Sequence, residues 1–344
     1  MDDIGGILED MIWMETTLDM GAPPTYREHE FFIRFKTDIR NFNTGAKQNS
    51  TTTASPEFFT DQNGFQMARR VYADSVGVEA NYYPVTSSAF IQDQLQRLNL
   101  LFSSTRGLTS AKPGWIEFMV DRRTIHDDGR GMGEGMTDNL PIVTPFILIL
   151  EDRSVQEVLI DKFNNHLTKK ILIHLTKKLN EFQIKTDTLQ QSSLLSTIAS
   201  SQLQYPATSY VIDPSDPVDP VADEDLSKSR VLFMNQPLPC NVHLVNLRTL
   251  SESVLPEVEL PSTSALFTVH NRAYDCSIPA EIPYCNVNSK GSDRPLYSGS
   301  KWIAMDMGHV EETSLTGLIS KGSTSFDSIR IPLMQLRSYN VTFA

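Results

Sequence analysis

The segment Phe31-Phe32-Ile33-Arg34-Phe35-Lys36-Thr37-Asp38-Ile39 alternates in a way that only an extended chain can use. Successive side chains on a strand point to opposite faces, so Phe31, Ile33, Phe35 and Ile39 share one face and Arg34, Lys36 and Asp38 the other. This predicts a half-buried antiparallel strand. Ile116, Phe118 and Val120 repeat the pattern, while Pro145 to Leu150 is a continuous apolar run, as in a strand covered on both faces. Further strands are predicted over residues 242–250, 265–270, 329–333 and 339–343. Between them lie turn formers: Asn63-Gly64, Lys112-Pro113-Gly114 and Gly291-Ser292-Asp293. Several short strands with such turns predict a mainly β chain of sandwich architecture.

One stretch breaks this pattern. Val155, Leu159, Phe163, Leu167, Ile171, Leu175, Leu179 and Phe182 recur at helical spacing. Inside it His166-Leu167-Thr168-Lys169-Lys170 returns as His174-Leu175-Thr176-Lys177-Lys178. An exposed helical insertion with lysine stems lying along it is favoured over a basic helix for an anionic surface. Residues 212–225 hold Asp213-Pro214, Asp216-Pro217, Asp219-Pro220 and Asp223-Glu224-Asp225, too rich in proline and acid for a helix or a paired strand. The expected organisation is a first β-sandwich portion over 1–152, a helical insertion over 153–190 and a second β-sandwich portion over 191–344.

The net charge of -12 works against a general nucleic-acid binder, which needs a basic surface to displace counterions. Neutral ligands such as sugars are not disfavoured. No apolar run is as long as a membrane span, and the acidic start lacks the regions of a signal peptide. The three cysteines leave two alternatives open: a Cys276–Cys285 bridge with Cys240 free, or three reduced thiols. No CxxC or HExxH pattern suggests zinc. Asn49-Ser50-Thr51 and Asn340-Val341-Thr342 fit the glycosylation pattern, and Asn49, in a Ser/Thr-rich loop, is the better acceptor.

The chemistry-bearing stretch is 115–139. A strand runs into Asp121-Arg122-Arg123, then Asp127-Asp128, then a turn with Gly129, Gly131, Gly133 and Gly135 that presents Arg130. The turn is neither a P-loop nor a dinucleotide fingerprint, because the lysine, the spacing and the following helix are missing. Its glycines permit positive φ and close approach to a ligand, although spacing alone favours a plain hairpin connection. Asp127 and Asp128 are neighbours, so they do not converge on one proton as a glycosidase pair must; carboxylates accepting turn amides or pairing with Arg122, Arg123 or Arg130 fit better. Ser298-Gly299-Ser300-Lys301 has Ser-x-x-Lys spacing without companion motifs.

These residues resemble glycoside hydrolase family 38, the α-mannosidases. Phe59-Thr60-Asp61-Gln62-Asn63-Gly64-Phe65-Gln66 is similar to that family's "YTD-NGFQ" segment. Ala80-Asn81-Tyr82-Tyr83-Pro84 with Ala89-Phe90-Ile91-Gln92-Asp93 is similar to its "N-YP...AYIQD". Asp121-Arg122-Arg123 through Asp127-Asp128-Gly129-Arg130-Gly131 resembles its "DRR...DD-RG" loop. Gly133-Glu134-Gly135 with Asp138-Asn139, residues 239–250, and Ala265 to Cys276 with its "DC" resemble the Golgi α-mannosidase II branch rather than the lysosomal one. The likeness runs from about Glu15 to the C-terminus and leaves 155–182 unmatched.

The resemblance implies β-sandwich domains of the galactose-mutarotase-like super-sandwich kind. It implies a retaining α-mannosidase acting on N-glycans, with a zinc ion and an Asp nucleophile on an N-terminal catalytic domain that has no counterpart here. By matching position Arg130 lines the mannose site, while Asp127, Asp128, Gly129 and Gly131 support the loop. The expectation is then a C-terminal fragment, inactive alone, of a membrane-anchored parent in the Golgi lumen, with the lysosome as alternative. Two other readings stay open: a carbohydrate-binding sandwich using Trp13, Trp115 or Trp302, and a structural module that associates with a separate catalytic chain.

Overall fold

The computed structural model describes residues 11–20, 28–42, 55–124, 140–153, 191–206, 238–250, 263–275, 278, 307–325 and 328–343. They contain fifteen strands, one α-helix and one 3-10 turn. The chain divides into two compact units, one of residues 1–206 with 274–282, the other of 207–273 with 283–344.

In the first unit a six-stranded antiparallel sheet is built from β1 (Met11–Leu18), β10 (Ile142–Asp152), β7 (Gln96–Phe102), β6 (Ser88–Gln92), β3 (Glu57–Gln62) and β4 (Gln66–Val71), in that spatial order. A four-stranded sheet holds β2 (His29–Lys36), β9 (Trp115–Arg123), β8 (Arg106–Thr109) and β5 (Tyr83–Val85). Phe58, Ile91, Leu100, Phe102 and Phe146 of the first sheet share a buried cluster with Val85, Leu108, Ile116, Phe118 and Val120 of the second. Phe118 sits edge-on to both Phe102 and Phe146, at ring distances of 4.9 and 5.2 Å. Burying such faces is the main favourable term that offsets the ordering of the strands.

The predicted alternation holds with one exception. Ile33 and Phe35 pack on the core and Ile39 is buried, but Phe31 is exposed. The register jumps between Phe31, opposite Asp121, and Phe32, opposite Met119. Val120 is the extra residue of this β-bulge, so the phase of the strand pair changes there. Within the run 145–150, residues 146–149 are covered on both faces, while Leu150 is exposed. Phe146 and Leu148 enter the sandwich core, while Ile147 and Ile149 pack beneath α1 (Leu194–Gln204) with Ala199 and Leu203. Ser193 caps α1 by accepting from the amide of Ser196.

Two of the predicted turns appear, while Gly291-Ser292-Asp293 lies outside the described residues. Asn63 and Gly64 adopt positive φ in the β3–β4 hairpin. Gly114 has φ +74, and a Cβ there would collide with the carbonyl oxygen of Thr37.

The second unit carries a five-stranded antiparallel sheet in the order β11 (Val242–Thr249), β12 (Ser264–Asn271), β15 (Leu336–Phe343), β13 (Met307–Thr313) and β14 (Ser320–Thr324). Phe267, Val269, Val310, Tyr339 and Val341 form its core with Ile329 and Ile331. The strand predicted over 329–333 does not form. Its alternating isoleucines are buried, but Pro332 lacks an amide donor and Met334 has φ +60. The bulk prediction of a mainly β, sandwich-forming chain is correct. The predicted helix over 155–182 lies outside the described residues.

Cys240 is disulfide-bonded, which overturns its expected role as the free thiol. The chain has three cysteines, so a Cys276–Cys285 bridge is incompatible with this bond. Spacing left a short Cys276–Cys285 loop and three reduced thiols equally open, whereas pairing depends on which thiols the fold brings together.

Candidate functional site

The end of the first unit's sandwich where β9 stops and β10 begins is the best-defined candidate. β9 belongs to the four-stranded sheet and β10 to the six-stranded sheet, so two consecutive strands lie in different layers. Arg106, the first residue of β8, ties the two stems together. Its Nη1 donates to the carbonyl of Val120 on β9, and its Nη2 donates to Thr144 Oγ1 on β10 at 2.9 Å. Thr144 is buried. Burial lowers the Arg106 pKa, and the charge of Asp121 works in the opposite direction. The Arg106 Nε is buried without a hydrogen-bond partner among the described residues.

Arg123 closes β9, opposite His29 on β2, and is only 7 % exposed. Its Nε and Nη1 are both buried without a partner among the described residues. Next to it Arg122 makes a solvent-exposed ion pair with Glu30 at 3.0 Å, a contact worth little by itself. The stems are therefore rigid, strongly basic and crosslinked.

Arg130, Asp127, Asp128, Gly129 and Gly131 fall outside the described residues, as do Asn49, Cys276, Cys285 and Trp302. The structure describes the base from which the arginine turn springs. Sequence reasoning noticed Arg123 only as part of Asp121-Arg122-Arg123 and missed Arg106. Arg106 begins a strand beside Gly107, with no pattern that marks a contact to residues 14 and 38 positions away.

The other acids quoted from the motifs are engaged in structure. Asp61 is buried and accepts from the amide of Thr86 at 2.7 Å, the amide of Ser87 at 2.9 Å and the hydroxyl of Ser87 at 2.6 Å. It fixes the link between β5 and β6. Asn81 bonds both the amide and the carbonyl of Ala73. Burial acts to raise the Asp93 pKa, but amide donors from Arg40, Gln96 and Leu95, with the charge of Arg153, hold it below its ordinary value. Carboxylates held by amides in this way define turns and are poor nucleophiles.

A buried polar network lies on the six-stranded sheet. Arg97, fully buried, donates from Nε and Nη2 to Gln92 Oε1, from Nη1 to the Gln191 carbonyl and from Nη2 to Asp275 Oδ2 at 2.6 Å. Its guanidinium also lies 4.1 Å from the Phe90 ring centre. Burial raises the Glu151 pKa, opposed by donors from Ser193 and Asn99 and by Arg97. The Asp of the "DC" pattern is thus the counter-ion of a buried arginine.

The tryptophans differ. Trp13 lies on edge strand β1 and is 59 % exposed. Trp115 is crowded by cations: Arg34, Lys36 and Lys112 lie 4.8, 4.5 and 4.8 Å from its ring centre. A ring covered by cations is a poor platform for stacking a sugar. Beside it Glu117 accepts from Tyr82 at 2.5 Å and from Arg34. Among the described residues no group of three or more His, Cys, Asp or Glu converges as a metal site. Nor does any described helix have the length and apolarity to cross a membrane.

Residues 9–130 match the C-terminal domain of glycosyl hydrolases family 38. The chain is 34% identical over 344 residues to Alpha-mannosidase 2 of Spodoptera frugiperda, covering 98% of this chain and 27% of that protein. It is 32% identical over 247 residues to Alpha-mannosidase 2 of Homo sapiens, covering 70% of this chain and 18% of that one. A match at 33% identity over 119 residues to Lysosomal alpha-mannosidase of Dictyostelium discoideum covers 32% of this chain and 12% of the relative. The chain therefore spans about a quarter or less of the length of these relatives.

Proposed function

The chain belongs to glycosyl hydrolase family 38, and from that premise we propose that it forms the C-terminal β-region of an α-mannosidase that hydrolyses α-mannosides of N-glycans. In this reading its sandwich supplies one wall of the mannose pocket through Arg130 and rigid support for the rest. The observation that carries it is the family match, which extends through the β9 stem to residue 130. The crosslinking of both stems by Arg106 supports it, because a side chain that binds substrate must be held by packed elements. Asp127, Asp128, Gly129 and Gly131 would hold the turn.

The chemistry would be that of a retaining glycosidase, in which one carboxylate attacks the anomeric carbon and a second acts as acid and then base. Those groups, and a zinc ion, would belong to an N-terminal catalytic domain outside this chain. The chain alone would then be inactive. The setting would be the Golgi lumen, with the lysosome as the alternative within the family.

The test is Arg130→Ala in the complete mannosidase. Loss of one charge-assisted contact of about 1.5–3 kcal/mol lowers kcat/KM by roughly 10- to 150-fold. Zinc content and circular dichroism should stay as in the wild type; unchanged kinetics would remove the pocket role. A second reading, a sugar-binding or structural module, is favoured by one observation, the exposure of Trp13. It predicts mannoside affinity in the isolated chain that Trp13→Ala abolishes, or tight association with a separate catalytic chain.

A further inference from the structure

We propose that Arg106 and Arg123, at the loop end of the first unit's sandwich, form a binding site for a small oxyanion bearing phosphate, sulfate or carboxylate oxygens. The inference does not depend on the mannosidase reading. Arg123 is 7 % exposed and its Nε and Nη1 are buried without an acceptor among the described residues, as is the Arg106 Nε. Leaving such a donor unsatisfied is destabilising, and more so for a charged group. Native structures rarely tolerate this unless a partner arrives.

Both arginines engage β9. Arg106 Nη1 bonds the carbonyl of Val120, three positions before Arg123 on the same strand. The nearby acids do not supply the missing acceptors. Glu30 is paired to Arg122, and Asp121 accepts from the Arg122 amide at 2.7 Å. Asp121 acts on Arg106 through its charge, but no hydrogen bond joins them among the described residues. Two arginines with buried open donors and no bonded carboxylate among the described residues attract an anion, and guanidinium geometry suits oxyanions.

Titration calorimetry of the full chain with inorganic phosphate, at constant ionic strength balanced with chloride, tests the site. Sulfate and acetate titrations establish which oxyanion shape is preferred. One binding event per chain is expected. Arg123→Gln and Arg106→Gln should each weaken it roughly tenfold or more, the loss of a charge-assisted donor, and Arg34→Gln should leave it unchanged. Circular dichroism reports whether the variants fold. If Arg123→Gln does not, Arg123→Lys decides, with several-fold weaker binding expected because the charge stays and the fork is lost. No binding by the wild type at millimolar phosphate, or equal affinity in the arginine variants, overturns the proposal. Binding that appears only in an Asp127→Asn, Asp128→Asn variant also overturns it, because the chain's own carboxylates would then be the partners.

Discussion

Breaking the Arg97–Asp275 pair is the sharpest test of how the first unit is held together. The two residues are 178 positions apart and joined at 2.6 Å, with Arg97 fully buried and Asp275 17% exposed at its side chain. Asp275→Asn keeps the shape and removes the counter-ion. Removing one partner of a buried pair costs about 3–5 kcal/mol, because the remaining charge is left uncompensated. Partial exposure of Asp275 and the nearby charge of Glu151 place the expected loss near about 3 kcal/mol. Arg97→Met should cost somewhat less, about 2 kcal/mol, because Asp275 can be solvated; its loss includes the bonds to Gln92 and Gln191. The double variant should lose clearly less than the sum, since one change removes the reason for the other's penalty. Urea unfolding followed by tryptophan fluorescence measures this, as Trp13 and Trp115 both belong to the unit. A loss under about 1 kcal/mol for Asp275→Asn, or strict additivity in the cycle, would show that the pair is incidental.

Other consequences follow from the same physics. Gly114→Ala forces a side chain into φ +74 and against the Thr37 carbonyl, so thermal unfolding should report a loss of about 2 kcal/mol or more. Arg106→Met cuts both stem contacts and should destabilise the first unit by about 1–3 kcal/mol in urea; a change below about 0.5 kcal/mol would mean that the stems are held without it. Burial and the charge of Arg272 depress His243 and His270 to about 4, so the unfolded chain binds more protons between their ordinary 6.5 and that value. The second unit should therefore keep this contribution above pH 6.5 and lose it as pH falls towards 4; a His243→Gln, His270→Gln variant should show a flatter acid profile in pH-dependent unfolding.

Strand periodicity was legible because it is a local code: alternation at Ile33 and Phe35 and continuity at Phe146 to Ile149 report burial without knowledge of the partner. It failed where the partner strand decided the outcome. Phe31 looked inward by phase, yet the extra residue Val120 on the facing strand changed its register. The helix Leu194–Gln204 was missed because its buried side is mostly serine and alanine, with only Leu194 and Leu203 as large apolar residues. Its one sequence signal, Ser193 before two leucines, is too common to weigh against a β-rich context. The site divides in the same way. Paired arginines and a glycine-rich turn stand together in the sequence, so the arginine turn could be read as a unit. Arg106 reaches two different strands, and Asp275 serves an arginine 178 positions away. Nothing in the neighbourhood of either residue specifies those contacts. The disulfide is the clearest case: a nine-residue separation offered Cys276–Cys285 as the one bridge to weigh against free thiols, but closing a longer loop adds only slowly to the entropic cost. Geometry, not proximity in sequence, then selects the partner of Cys240.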